Sequence, residues 1–278
     1  MKNQFLSIDF DNTNYKRRVL WKIIGLVCLF LLVALSGFWI GEEQLEANMG
    51  EKNLSPSLQH PFGTDWLGRD MFFRTLSGLH LSWKVGLFAA VISTAIALTL
   101  SLLSSVNHFF DSLVTMLIDL FLSIPHLVAL ILIAFVLGGG VKGIVIGIAF
   151  THWPSLTRVL RAEILQIKSA EYVHVSRKLG KSRMWIIRHH YLPQLMPQLF
   201  VGFILLFPHA ILHESAITFL GFGLSPEQPA IGIILSEAMK YLTMGMWWLV
   251  VFPGLSLIGM VVIFDALGNN LRKLLNPN

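Results

Sequence analysis

Apolar residues in this chain come in long runs, and polar residues gather in the gaps between them. The runs are Leu20–Ile40, Val85–Val106, Leu113–Leu137, Val141 to about Leu156, Leu195–Leu220 and Trp247–Leu267. Each is near the roughly 20 residues that carry a helix across a hydrocarbon core. The pattern predicts an all-α integral membrane protein with about six transmembrane helices. Leu20–Ile40 is too long for the apolar core of a signal peptide. Acidic Glu42-Glu43 follows it instead of a small-residue cleavage site, so it reads as a retained helix. Pro125 interrupts the third run and Gly138-Gly139-Gly140 ends it. Ala230–Leu242 is too short to cross and reads as an interfacial helix. No internal repeat with the broken, inverted halves of many secondary transporters is legible.

Charge sets the expected orientation. Lys2, Lys16, Arg17, Arg18 and Lys22 stand at the start, and Arg158, Arg161, Lys168, Arg177, Lys178, Lys181, Arg183 and Arg188 lie between runs four and five. Arg272 and Lys273 close the chain, and together these are most of its 21 Lys and Arg. Basic residues stay on the cytoplasmic side, so both termini are expected there. The expected divisions are an N-terminal tail (1–18), a first transmembrane helix (19–40), an extracytoplasmic loop (41–83), a membrane core (84–270) holding a cytoplasmic segment at 158–193, and a tail (271–278).

Composition narrows the class. The chain is 54% hydrophobic and 13% charged, against about 25% charged in soluble domains. The net charge of +5 fits basic loops beside lipid, and no soluble fold is left to carry a nucleic-acid footprint. Cys28 is the only cysteine, which excludes a disulfide framework; it reads as a small buried hydrophobe.

The segment between runs four and five is too charged for hydrocarbon. Ile164, Ile167, Tyr172, Val173 and Val175 mark one apolar face, and Trp185, Ile186 and Ile187 begin another beyond Gly180. Two short helices hinged at that glycine would either lie on lipid headgroups or offer a knob to a protein. Within it, Glu171-Tyr172-Val173, Arg177-Lys178-Leu179-Gly180 and His190-Tyr191-Leu192-Pro193 resemble the ATPase-coupling loop of ABC importer permeases, in the dipeptide, oligopeptide and nickel branch. Where the general family loop has Glu-Ala-Ala, this chain has His174-Val175-Ser176. His60-Pro61-Phe62-Gly63-Thr64-Asp65-Trp66-Leu67-Gly68-Arg69-Asp70, Phe219-Leu220-Gly221-Phe222-Gly223, Phe252-Pro253-Gly254-Leu255 and Leu267-Gly268-Asn269-Asn270-Leu271-Arg272 extend the resemblance in order. In the first of these, Asp65 and Asp70 can cap helix starts and Arg69 can pair with one of them.

The resemblance implies an ABC importer permease of the prokaryotic cytoplasmic membrane. It implies a sister permease, two ATPase subunits holding ATP and magnesium, and an extracytoplasmic solute-binding protein as partners. The coupling residues it implies are Glu171, Tyr172, Val173, His174, Arg177, Gly180, Leu192 and Pro193. No cofactor is expected in this chain. Gly180-Lys181-Ser182 echoes the end of a phosphate-binding loop, but Val175 occupies the place of its first glycine.

Ionisable groups inside apolar runs are costly and mark pathways. Asp119, His209, His213 and Glu214 are such groups. His209 and His213 are four apart, so they share a helix face at about 6 Å. They could contact a passing divalent ion, or simply bond neighbouring helices. Pro208 stands beside them as a potential kink. The pair, with Thr151-His152-Trp153, resembles the nickel members of the branch, and the resemblance implies nickel, free or chelated, as cargo. Di- or oligopeptides are the alternative, and a secondary transporter without an ATPase is a further class. His152 itself reads as an interfacial anchor beside Trp153, and His189 and His190 as solvated. His60, His80, His108 and His126 give no separate signal. Gly143 and Gly147 form a small-residue face for packing within or between subunits.

Overall fold

The computed structural model describes residues 17, 19–28, 31–32, 35–37 and 39–275. The N-terminal tail, parts of the first expected span and the last residues lie outside these. The described part of that span is a helix, α1 (Val19–Cys28), whose Ile23, Leu26 and Val27 pack on the core. Cys28 is exposed, not the buried hydrophobe expected from its apolar run.

Residues 41–70 form a compact lid with two 3₁₀ turns, Glu42–Leu45 and Met49–Glu51, and a bridge between Thr64 and Asp70. The lid ends in α2 (Met71–Ser104), so Met71–Trp83, expected as loop, is helix. Asp70 starts that helix: its carboxylate accepts from the Phe72 amide at 2.7 Å, satisfying one of the free N–H groups of the first turn.

Then come α3 (His108–Ser123), α4 (His126–Val136), α5 (Gly140–Lys168), α6 (Glu171–Lys178) and α7 (Arg183–Ile186). A π turn (Ile187–Tyr191) leads into α8 (Leu192–Phe219), followed by α9 (Ile231–Leu242) and α10 (Trp248–Leu275). Met71–Ser104, Arg183–Phe219 and Trp248–Leu274 are long and apolar enough to cross a membrane, and the pair α3 and α4 makes a fourth if counted as one span. That pair is bent by 95° at Pro125. The interruption expected at Pro125 is therefore a sharp break between two helices. Helix α5 has 29 residues, ample at about 1.5 Å each, but Thr151-His152-Trp153-Pro154-Ser155 dilutes its apolar run.

Helix α5 continues through Arg158 to Lys168, so the basic segment begins as an extension of a span. Helix α8 runs unbroken through Pro197 and Pro208. Helix α9 packs one face on the bundle: Ile231, Gly232, Ile233, Ile234 and Ala238 are buried, while Met239, Lys240 and Leu242 are exposed. Gly138, Gly139 and Gly140 all have positive φ, which lets the chain reverse between α4 and α5 where a Cβ would be strained.

Helix α2 packs along α5 and α8, α4 along α5, and α10 along α8 and α9. Leu160, Leu195, Phe207, Ile211, Ile231 and Ile234 lie in the main core, and Val85, Leu130, Ile144, Ile148 and Ile217 in a second cluster. Gly143 and Gly147 let α5 approach α4: a Cβ on Gly143 would lie 2.8 Å from the Ala134 carbonyl oxygen. Their packing lies within the subunit. Leu132, Phe135 and Val136 of α4 and Leu255, Ile258 and Val262 of α10 face outward, as hydrocarbon or a further helix would require.

Candidate coupling segment and intramembrane histidines

The basic segment is two short helices with Gly180 between them, as expected, and Gly180 takes φ +77°. Ser182 caps α7 through the Trp185 amide. The apolar positions divide between two sides. Ile164, Ile167, Val173, Ile186 and Tyr191 are buried and bind the segment to the feet of α5 and α8. Tyr172, Val175, Leu179 and Met184 point outward, Leu179 at 72% exposure. Tyr172 and Val175 thus leave the single face drawn from sequence, because α6 has only 8 residues and buries just Val173.

Polar contacts stiffen this unit. The Tyr172 hydroxyl donates to Gln194 Oε1 at 2.9 Å, and Arg177 Nη2 donates to the Tyr191 hydroxyl at 3.3 Å. Ser176 Oγ and His190 Nε2 are 2.9 Å apart, and the His190 ring also lies against Tyr172 and Trp185. His190 is therefore an internal brace, whereas His189 stays exposed and stacks on Trp185. His174 and Glu171 are exposed, Leu192 is half-buried and Pro193 opens α8 at the surface. Arg161, Lys168, Arg177, Lys181 and Arg183 line a cavity of about 680 Å³ between this segment and the ends of α2 and α3. Arg161 pairs there with Asp111.

Inside the bundle, the structure brings together His126 of α4, His152 of α5 and His213 of α8. One ring nitrogen from each lies within 4.8 Å of the other two. The ring centroids are 4.5 Å apart for His126 with His152 and with His213, and 5.1 Å for His152 with His213. His152 is thus no interfacial anchor and His126 no background residue. His209, one turn before His213, is exposed and outside the group. Glu214 is also outside it. It is fully buried on an adjoining face of α8, accepting from Thr218 Oγ1 at 3.0 Å and Ser215 Oγ at 3.2 Å. Ser82 of α2 lies close to the same carboxyl without a hydrogen bond of good geometry. Asp119 is not enclosed: its side chain is 65% exposed and lies 3.2 Å from Arg158.

Residues 93–277 match the family model described as the inner membrane component of binding-protein-dependent transport systems. The chain belongs to this family. This permease is 32% identical over 253 residues to a dipeptide transport system permease protein, DppC, of Bacillus subtilis, covering 91% of this chain and 79% of that one. It is 31% identical over 257 residues to a putative peptide transport system permease of Brucella suis, covering 91% of this chain and 86% of the relative. The fold is similar to that in inward-facing structures of the MetNI methionine ABC transporter, with a TM-score of 0.60 at 18% identity, covering 73% of this chain and 97% of that one.

The permease's basic segment was legible because its motif is local. Its histidine group was not. His126, His152 and His213 come from three helices far apart in sequence. One signal could have found His126: it directly follows Pro125, at the break in an intramembrane helix.

Proposed function

We propose that this permease forms one half of the conduit of an ATP-driven importer for di- or oligopeptides in a prokaryotic inner membrane. The observation that carries the reading is the similarity to a dipeptide permease, 32% identical over 91% of this chain. Its partners in this reading are a sister permease, two ATPase subunits and an extracytoplasmic binding protein. Both termini and the basic segment face the cytoplasm. Tyr172, Val175, Leu179 and Met184 form the apolar knob that seats in an ATPase. Because Val173, Ile186 and Tyr191 fix the knob to α5 and α8, displacing it moves both helices together. Energy enters as the ATPase dimer's different affinity for two arrangements of the permease, with no ATP bound by this chain.

A second reading, nickel as free or chelated cargo, is favoured by one observation: the three intramembrane histidines. Vesicles holding the full complex, with the binding protein outside and ATP inside, separate the two. ATP-dependent accumulation of a labelled dipeptide supports the first reading. Accumulation of labelled nickel with no peptide uptake replaces it with the second. Uptake of either cargo on a proton gradient alone, without ATP, overturns the importer reading itself.

A further inference from the structure

The three histidines are placed as donors to one centre. His126 is the first residue of α4, immediately after the 95° break at Pro125. Non-helical backbone at membrane depth is tolerated where it lines a cavity or is buried in protein. The three rings are partly exposed, so a small ion can reach them.

Their hydrogen bonding is incomplete in an informative way. His152 Nδ1 lies 3.0 Å from the Ile148 carbonyl oxygen. A carbonyl can only accept, so Nδ1 carries the proton and Nε2 keeps its lone pair. Metal-binding imidazoles are oriented by this kind of bond from the other ring nitrogen to a backbone carbonyl. Thr151 Oγ1 adds a contact to the same Nδ1 at 3.3 Å and is itself bonded to the Gly147 carbonyl. His126 Nε2 is buried and has no hydrogen-bond partner. Among the described residues, no hydrogen bond joins the three rings to one another. An interior polar atom left without a partner costs free energy. Packing alone gives no reason to gather three imidazoles here, since apolar side chains would fill the space at no such cost.

We infer that His126, His152 and His213 form a binding site for one divalent transition-metal ion of the nickel and zinc kind. Imidazole suits these ions, and three such donors leave a coordination position open for water or for a donor on a passing molecule. Metal–nitrogen distances near 2.0–2.1 Å set tetrahedral nitrogens about 3.3 Å apart. The present limit of 4.8 Å therefore calls for a small closing movement, which side-chain torsions supply. The ion would join the break in α3 and α4 to α5 and α8. The inference concerns occupancy and rests on neither cargo reading, so transport is not its readout.

The test uses the complete complex, purified with a tag free of histidine and titrated with Ni²⁺ alone. Equilibrium dialysis with elemental analysis gives the occupancy, and X-ray absorption the ligands. The expected result is saturation near one ion per chain with imidazole scattering. His152→Gln, His126→Asn and His213→Asn are each expected to weaken binding by roughly tenfold or more. His209→Ala should leave it within about twofold. Wild-type binding equal to that of a variant combining all three substitutions overturns the site. If a variant fails to assemble, the wild-type spectrum decides: absence of imidazole scattering from bound nickel also overturns it.

Discussion

Two polar clusters in this permease obey opposite rules. In the lid, Asp65 is fully buried and accepts from the Leu67 and Arg69 amides at 2.8 and 3.0 Å, from Arg69 Nε at 2.7 Å and from Arg74 Nη1 at 3.1 Å. Arg74 also donates to Glu237 of α9, and Trp66, beneath both arginines, stacks on Tyr241. One nitrogen, Arg69 Nη2, lacks a hydrogen bond and lies 3.8 Å from Glu237. Every other charge there is answered, and the cluster welds the lid to the bundle. Around His126 the rings touch without bonding, and a buried nitrogen is left over. A satisfied cluster holds a structure together; an unsatisfied one is kept for something else.

Substitutions can break this contrast, and the largest effect belongs to the lid. Asp65→Ala leaves Arg74 buried beside one acid instead of two and is expected to cost about 3–5 kcal/mol. Thermal unfolding of the purified permease would show it as a collapse in folded yield. A change under about 1 kcal/mol would mean that the lid is not a weld. Glu214→Leu comes next. It removes the acceptor of Thr218 and Ser215, and a loss of about 1–3 kcal/mol is expected in the same assay. Glu214→Gln, which keeps an acceptor, should recover much of it. His126→Leu should do least, changing stability by no more than about 1 kcal/mol in metal-free buffer, since it deletes a nitrogen with no partner. Adding Ni²⁺ should then raise the melting temperature of the wild type and leave this variant unmoved, because a ligand stabilises only the fold that binds it.

The sequence was readable where the physics is local. Asp65 and Arg69 are four residues apart in one tight turn, and Asp70 directly precedes the residues it caps, so the lid's inner pairs could be read off. The pairing of Arg74 with Glu237 spans most of the chain and could not. Hydropathy located the spans but not the helix ends. A helix leaving the bilayer needs no apolar run, so α5 continues to Lys168 and α2 starts at Met71 without a hydropathic mark. The spacing of His209 and His213 pointed to a shared site. Four residues advance a helix by one turn plus about 40°, and of the two it is His213 whose ring lies against those of α4 and α5. The neighbours decide which turn of a helix becomes a site, and neighbours are tertiary.

The central claim is that the knob formed by Tyr172, Val175, Leu179 and Met184 receives a separate ATPase. Co-purification tests it most directly. The tagged chain should retain its co-expressed ATPase, while Leu179→Asp with Val175→Asp should lose it without disturbing the sister permease, since both side chains are exposed. Retention of the ATPase by that double variant at the wild-type level would contradict the account.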